Sequence, residues 1–220
     1  GRLVLIPAFR QAAITSLSIA LTASLLSLLM AGGIIQARSA IADRRKATRT
    51  LLAFSGTLGG LSSLVLLVPP VVLGTGWFLL IRPVGQVTSF APMLIAAINA
   101  LMALPFVMRV LEPAVETHIA RTRRLSASLG IGGISRLRLI DWPGLRRPLF
   151  MALSFAMALS LGDLGAVAMF GSNDLTTLPW LIYSRLGSYR THDADGLALI
   201  LGVICLILTA LGTVGHKERQ

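Results

Sequence analysis

Long apolar blocks, separated by short polar or basic stretches, dominate the pattern of this sequence. A helix needs about 20 mostly apolar residues to cross roughly 30 Å of hydrocarbon. Five blocks meet that length, approximately over residues 12–35, 51–80, 92–110, 148–170 and 197–214. Because proline removes a backbone donor and clashes with the preceding turn, Pro69 and Pro70 predict a kink or break in the second block. The pattern therefore predicts an all-α membrane protein with about five transmembrane helices.

Composition and charge agree with this fold class. The 220 residues are 55% hydrophobic with a mean hydropathy of +0.79, more apolar surface than one soluble core could bury. The net charge of +11 would also suit a nucleic-acid binder, but the basic residues are unevenly distributed. Five of the 20 Lys and Arg lie between the first two blocks, eight from Arg109 at the end of the third block to the start of the fourth, and two in the tail. By the positive-inside rule these segments are cytoplasmic, which predicts an outside N-terminus, an inside C-terminus and no nucleic-acid partner.

Neither the start of the chain nor its cysteine content predicts a cleaved signal or a metal site. The chain begins at Gly1 without a signal-peptide pattern. An outside N-terminus fits a fragment whose preceding spans are missing, although a processed or engineered start would look the same. Cys205 lies in the fifth block and is expected to be a small apolar filler. His118, His192 and His216 are far apart along the chain and are each expected to be solvated.

The longest polar segment lies between the third and fourth blocks, on the predicted cytoplasmic side. Residues 112–129 are rich in helix formers, and Leu125 and Leu129 are four positions apart, which places both on one face of a helix. The glycines within 130–133 then predict a stop of the kind that ends helices in a left-handed turn.

A second short amphipathic helix over 134–140 is expected to follow, with Arg136 and Arg138 in water, before Pro143 redirects the chain. A helix, a glycine turn and a second helix would form a docking knob for another protein. The alternative is a basic loop that contacts anionic lipid headgroups, at about 1 kcal/mol per basic residue.

The stretch RRLSASLGIGGISRLRLIDWPGLRRP resembles the signature loop of binding-protein-dependent importer permeases. That loop reads Glu-Ala-Ala, three residues, Gly, nine residues, Ile-x-Leu-Pro, and its spacing is met here. Trp142 stands where the family prefers leucine, and residues 124–126 replace the Glu-Ala-Ala, so the family's glutamate is missing. The resemblance implies that seven residues couple this chain to a separate ATPase. They are Arg124, Leu125, Ser126, Leu129, Gly130, Ile140 and Pro143.

The resemblance extends over residues 9–211, and segments 160–163 and 187–190 are similar to the closing stretch of the permeases of thiamine importers. It implies a type I ABC importer permease bundle with a cytoplasmic coupling helix, in the bacterial inner membrane. Residues 1–220 would be one transmembrane domain, the second half of a fused permease without its leading span and first half. The implied substrate is thiamine or one of its phosphates, moved from periplasm to cytoplasm by alternating access.

The same resemblance implies the partners. They are an ABC ATPase dimer on the cytoplasmic side, a periplasmic substrate-binding protein, the other permease half and the lipid bilayer. The ATPase would use ATP and Mg, and this chain, which has no Gly-x-x-x-x-Gly-Lys-Ser/Thr phosphate loop, is expected to bind no cofactor and to be non-catalytic. Segment 171–196, on the predicted outer side, is the candidate docking site for the binding protein.

Two residues are candidates for the translocation path. Ionisable residues at membrane depth are costly and usually face protein or water, and Asp163 is such a residue. In one interpretation both line the path, where the carboxylate of Asp163 would attract the thiazolium ring of thiamine and Asn99 of the third block would offer hydrogen bonds. The alternative, which we prefer for Asp163, is that it binds a backbone or side-chain donor within the bundle or caps a helix break beside Gly162 and Gly165.

Other functions stay open at this point. A permease for iron(III) or an inorganic oxyanion would share the signature loop. A secondary transporter or channel would need ionisable or polar residues in several spans, and the apolar blocks contain almost none. An intramembrane enzyme would need paired catalytic groups, and Asp163 has no evident partner in the sequence.

Overall fold

The structure, a computed structural model, describes residues 7–42, 56–57, 60, 67–81, 83, 87–128, 130, 133–170, 175–187 and 191–214. These residues form helices joined by turns. The elements are α1 (Pro7–Ala42), α2 (Pro70–Ile81), α3 (Val87–Ser128), α4 (Gly133–Arg136), a π-helical turn (Leu137–Asp141), α5 (Trp142–Gly162), α6 (Gly165–Phe170), α7 (Leu178–Gly187) and α8 (Thr191–Val214).

Four stretches of the described helices are long and apolar enough to cross a membrane. They are Pro7–Ile41, Phe90–Arg123, Gly133–Ala168 and Ala194–Thr213. The protein is therefore a multi-pass membrane protein with an all-α fold, as predicted. Of the predicted second span, residues 51–55, 58–59 and 61–66 lie outside the described residues.

The predicted break in the second span is confirmed at Pro69 and Pro70. Helix α2 begins at Pro70, and the amides of Val72 and Leu73 donate to the Pro69 carbonyl at 2.9 and 3.3 Å. Proline is tolerated in a first helical turn because the amide it lacks would have no intrahelical partner there. With 12 residues, α2 is too short to span a bilayer.

Helix α3 is the centre of the bundle. In the most apolar 18-residue stretch of α3, 67% is buried, against 11% in the corresponding stretch of α8. Helix α3 packs against α1, α2, α5 and α6. Between membrane helices the hydrophobic effect contributes little, so small residues that allow close approach are favoured at the contacts. Helix α1 follows this rule, since Ala12, Ala20, Ala23 and Ala31 are fully buried.

Helix α3 is also longer than predicted. The sequence pattern predicted a span ending near Val110 and a separate helix from 112, but one helix of 42 residues continues through Pro113. Contacts on both sides of Pro113 accompany this continuity: Glu112, just before it, forms an ion pair with Arg38 of α1, and Val115, just after it, packs against the core that contains Leu111. At 1.5 Å per residue, α3 is about 63 Å long, so it extends well beyond the hydrocarbon layer.

The predicted fourth span is interrupted. Helix α5 begins at Trp142 and ends at Gly162, Asp163 takes an extended conformation (φ −80°, ψ 119°), and α6 begins at Gly165. Helix α6 then packs against α2, where a Cβ atom at Gly165 would lie only 3.2 Å from Pro70 Cβ.

The segment predicted to lie outside contains helix α7. It is fixed to α1 by a buried hydrogen bond of 2.7 Å from the Leu178 amide to Ser16 Oγ. Leu178 and Leu181 pack with Phe9 of α1 and Leu197 of α8. The segment around α7 is thus held by the two helices that flank it.

Gly212 of α8 allows close packing against α5, and we expect its replacement to separate the two helices. A Cβ atom there would lie 2.9 Å from Ser154 Cβ and 3.3 Å from Met151 Cα. Overpacking of this kind costs about 1–3 kcal/mol, so Gly212→Ala should lower the apparent melting temperature of the detergent-solubilised permease. Gly202→Ala on the same helix is the matched control, because no atom lies within 4 Å of its Cβ position. Equal melting temperatures for the two variants would contradict the expectation.

Candidate functional site: a hairpin and a membrane-depth cavity

Residues 112–142, from the C-terminal part of α3 to the start of α5, form a helical hairpin (hereafter the hairpin). Its turn depends on two glycines, since Gly130 and Gly133 both have φ of 62°. An L-residue with a side chain is strained in this left-handed conformation, whereas glycine adopts it freely. The predicted glycine stop is confirmed at these two positions, and Leu129 and Gly132 lie outside the described residues.

The structure places the other predicted coupling residues on both legs of the hairpin. Leu125 is 55% exposed, whereas the neighbouring Ser126 is buried, with its hydroxyl donating to the Arg123 carbonyl at 3.1 Å. Ile140 is half-buried in the π-helical turn, and Pro143 is exposed in the first turn of α5. The backbone of residue 124 belongs to α3, and the Arg124 side chain lies outside what the structure describes.

The second leg of the hairpin differs from its prediction. The piece over 134–140 is not a separate helix, because α4, the π-helical turn and α5 form one continuous run, and Pro143 does not redirect the chain. Asp141 and Trp142 keep right-handed helical dihedral angles. Proline near the start of α5 is compatible with this path because its fixed φ suits a first helical turn.

Apolar side chains are exposed along this second leg. Ile134 is 82% exposed and Leu137 59%, and Leu139 and Trp142 are also exposed. Ile134 and Leu137 are three positions apart, which places them on one helical face. A cluster of exposed apolar side chains is typical of a surface that binds another protein. Of these four residues, only Trp142 was notable in the sequence, where it departs from the signature loop.

A polar network joins the two legs on the inner side of the hairpin. His118 Nε2 of α3 lies 2.9 Å from Asp141 Oδ1, and Asp141 Oδ2 lies 3.5 Å from Arg136 Nε. The predictions that His118 and Arg136 are solvated are therefore wrong, since both side chains are partly buried beside Asp141. No local signal could reveal the pair, because His118 and Asp141 are 23 residues apart and meet only when the hairpin closes.

Because Gly144 has no side chain, it leaves space for the imidazole ring of His118. A Cβ atom at this position would lie 2.4 Å from His118 Cε1 and 2.6 Å from Nδ1. His118, Arg136 and Asp141 also line a cavity of about 920 Å³ between α1, α3 and the start of α5. The contact between His118 and Asp141 therefore lies beside this cavity.

A second cavity, of about 360 Å³, lies at membrane depth between α2, α3 and the end of α5. It contains both predicted path residues. Its described lining is Pro70, Asn99, Met102, Ala103, Phe106, Leu159, Ser160, Gly162 and Asp163.

Asn99 joins α3 to α5 at this cavity. Its side chain is 3% exposed, and Nδ2 donates to Ser160 Oγ at 2.8 Å and faces the Ser160 carbonyl at 3.4 Å. The other half of the amide, Oδ1, is buried and has no hydrogen-bond partner among the residues that the structure describes. A buried amide oxygen without a donor costs about 1–3 kcal/mol.

Asp163 caps the helix that follows the break. Its Oδ1 accepts from the Gly165 amide at 3.1 Å and its Oδ2 from the Ala166 amide at 3.2 Å. The capping alternative is thus confirmed, and the carboxylate still lines the cavity. A role for Asn99 and Asp163 in a translocation path stays a prediction.

Metal binding has no support in the part of the chain that the structure describes. There, no group of three or more His, Cys, Asp or Glu side chains is arranged so that it could hold an ion. Cys205 is a free, half-buried thiol whose Sγ lies 3.7 Å from the Ala158 carbonyl.

Comparison with known proteins gives close relatives by sequence, although no protein-family model matches. The chain is 49% identical over 206 residues to the thiamine transport system permease protein ThiP of Brucella abortus (strain 2308), covering 94% of this chain and 36% of that protein. It is 39% identical over 203 residues to ThiP of Escherichia coli (strain K12), covering 92% of this chain and 37% of that protein. The chain thus spans little more than a third of these relatives, in their C-terminal part.

A solved structure shares the fold. It is described as the crystal structure of an amino acid ABC transporter with histidines, and it matches with a TM-score of 0.66, covering 94% of this chain and 92% of that one. At 15% identity this likeness shows the fold alone. The sequence relatives are more specific, and the chain belongs to the family of thiamine transport system permease proteins, as the counterpart of their C-terminal part.

Proposed function

We propose that this chain is the C-terminal half of a permease that imports thiamine through the bacterial inner membrane. The observation that carries the proposal is 49% identity, over 94% of the chain, to a protein named as a thiamine transport permease. The cavity agrees with an organic cation better than with an inorganic oxyanion, because Asp163 is the only charged residue in its described lining.

In this proposal, the hairpin faces the cytosol and docks on one subunit of an ABC ATPase dimer. Its exposed apolar residues, with Ile134 and Leu137 at the centre, supply the contact. ATP and Mg act on the ATPase, and this chain is a non-catalytic subunit that binds no cofactor. A periplasmic binding protein docks on segment 171–196, and the first permease half completes the membrane domain.

The legs of the hairpin connect the docking surface directly to the cavity. Helix α3 carries both Ser128 at the turn and Asn99 at the cavity, about 44 Å apart at 1.5 Å per residue. Helix α5 likewise begins in the hairpin and ends at the cavity wall. The two helices are joined at the lower end by His118 and Asp141 and at the upper end by Asn99 and Ser160. A displacement of the hairpin is therefore expected to reach the cavity as a shift of both helices together.

The proposed function is tested by uptake of labelled thiamine. Cells without their own thiamine uptake would receive the full permease that contains this chain, with its ATPase and binding protein. We expect accumulation that excess unlabelled thiamine suppresses and that excess sulfate or iron(III) does not. Cells with an ATPase variant unable to hydrolyse ATP serve as the control. Accumulation that does not depend on ATP hydrolysis, or competition by the inorganic ions, would overturn the proposal.

A further inference from the structure

Resting on the proposed function, which places the hairpin on the cytosolic side, we infer that the 920 Å³ cavity binds the phosphate group and the upper acyl chains of an anionic phospholipid. This cavity lies between α1, α3 and the start of α5, and it shares no described lining residue with the membrane-depth cavity. Basic pockets between transmembrane helices on the cytoplasmic side are suited to anionic lipid headgroups.

The three walls of the cavity change from apolar to polar in the same direction. The lining runs from Leu28 to Ser39 on α1, from Leu111 to Arg123 on α3, and from Leu149 on α5 to Arg136 on the second hairpin leg. The apolar ends meet, since Leu28 and Leu149 pack against the core that contains Leu111. Leu137 is an exception, because it lies at the polar end.

The length of the cavity suits a lipid better than a free anion. At 1.5 Å per residue, each of the three lining stretches is about 16–20 Å long. The headgroup layer on one side of a bilayer is only about 5–8 Å thick. The cavity therefore has room for a headgroup at its polar end and for the first part of the acyl chains at its apolar end.

Arg136 offers hydrogen-bond donors at the polar end. Its side chain is 32% exposed, and it approaches Asp141 through Nε, at 3.5 Å from Oδ2. The N–H groups on its two outer nitrogens have no hydrogen-bond partner in the described part of the chain. The planar guanidinium group can hold a phosphate through two parallel hydrogen bonds. Gln36 and Arg123 line the same cavity and are exposed, so this end is open to a ligand.

The net charge of the described lining is positive. Asp141 opposes a phosphate, but its two oxygens lie 2.9 Å from His118 Nε2 and 3.5 Å from Arg136 Nε. Two arginines, Arg123 and Arg136, stand against this one aspartate. The cavity therefore favours an anionic lipid over a zwitterionic one.

The test measures lipid binding to the purified full permease–ATPase complex. Native mass spectrometry counts the bound lipids while phosphatidylglycerol and phosphatidylcholine are added to the detergent in equal amounts. We expect phosphatidylglycerol to be preferred about fivefold, since a net charge of one basic residue is worth about 1 kcal/mol near a membrane surface. A complex that binds both lipids equally would overturn the inference.

Variants of Arg136 test the charge. Arg136→Gln keeps an amide donor near Asp141 but is neutral, so the preference for phosphatidylglycerol should fall about fivefold. Arg136→Lys keeps the charge and should retain most of it. Arg138→Gln is the matched control, because Arg138 is exposed on the same leg and does not line the cavity. An equal loss in Arg138→Gln would show general attraction to a basic surface and would overturn the specific site.

A pair of glycines tests the place of the acyl chains. Gly32 of α1 lines the cavity, and a Cβ atom there would meet no atom within 4 Å. Gly32→Leu should therefore fill the cavity and remove one bound phosphatidylglycerol from the complex. Gly33→Leu is its control, since a Cβ atom at Gly33 also meets nothing within 4 Å and Gly33 does not line the cavity. Equal lipid counts in the two variants would contradict the inference.

Two further measurements separate a lipid from a free anion and this inference from the proposed function. Excess inorganic phosphate should leave the bound phosphatidylglycerol in place, and its displacement would show a site for free phosphate instead. ATP-driven thiamine uptake is measured with the same complex in liposomes. If uptake occurs and no phosphatidylglycerol is retained, the inference is wrong while the proposed function stands. Specific lipid retention without ATP-driven uptake would overturn the proposed function and leave the lipid site in place.

Discussion

Replacing both Ile134 and Leu137 by aspartate is expected to abolish ATP-driven thiamine uptake and to release the ATPase from the membrane complex. Both side chains are largely exposed and share one face of the second hairpin leg. Apolar anchors at the centre of an interface each contribute about 2 kcal/mol or more, and a carboxylate buried against a partner adds a desolvation penalty. The measurement is copurification of the ATPase with the tagged permease, together with uptake.

Ser135→Asp is the matched control for this pair. It places one carboxylate, of the two that the double variant adds, on the same turn at an exposed position, without removing an apolar side chain. We expect it to retain most of the ATPase, because the apolar contact is intact. If the double variant kept its ATPase, or if Ser135→Asp released it equally, the apolar face would not be the docking surface.

Gly144→Ala is expected to uncouple ATP hydrolysis from transport. The new methyl group would lie 2.4 Å from His118 Cε1, so the imidazole ring must turn away and lose its contact with Asp141. A partly buried hydrogen bond to a charged group contributes about 1.5–3 kcal/mol, and its loss loosens the link between the two legs. The predicted result is continued ATP hydrolysis with severalfold lower thiamine uptake per ATP, measured in proteoliposomes.

A double variant tests this explanation. If Gly144→Ala acts by displacing the imidazole, His118→Ala should give a similar loss, and the combination should be no worse than either change, since both remove one interaction. Additive losses would show that Gly144 and His118 act separately. Ser128→Ala, at an exposed position of the same hairpin, should leave the uptake per ATP unchanged.

Much of the fold could be predicted from the sequence because membrane spans have a strong local signal. The lengths of the apolar blocks predict the helices, and Pro69 and Pro70 mark the break before α2. The glycine stop was also predictable, because Gly130 and Gly133 take a conformation that other residues rarely adopt. The continuity of α3 through Pro113 was not, since it depends on contacts with α1 that a local pattern does not contain.

The candidate site was predictable only in outline. Asp163 was a candidate because a carboxylate in an apolar block is costly unless it has a favourable contact. Capping of a helix was one of the two roles predicted for it. The Ser160 partner of Asn99 is 61 residues away along the chain, and the pairing of His118 with Asp141 depends on how the hairpin closes. Such contacts are set by tertiary structure, so a single sequence gives no sign of them.

The break between α5 and α6 has a consequence for how the membrane domain moves. Helix α5 is continuous with the hairpin, whereas α6 packs against α2 through the close approach of Gly165 to Pro70. Two residues, Asp163 and Leu164, separate the helices, so a change in their backbone torsions would alter the angle between α5 and α6 without bending either helix. We therefore expect α6 to stay anchored on α2 while α5 changes its angle, with the cavity between α2, α3 and α5 at the pivot, where small rotations alter its shape most.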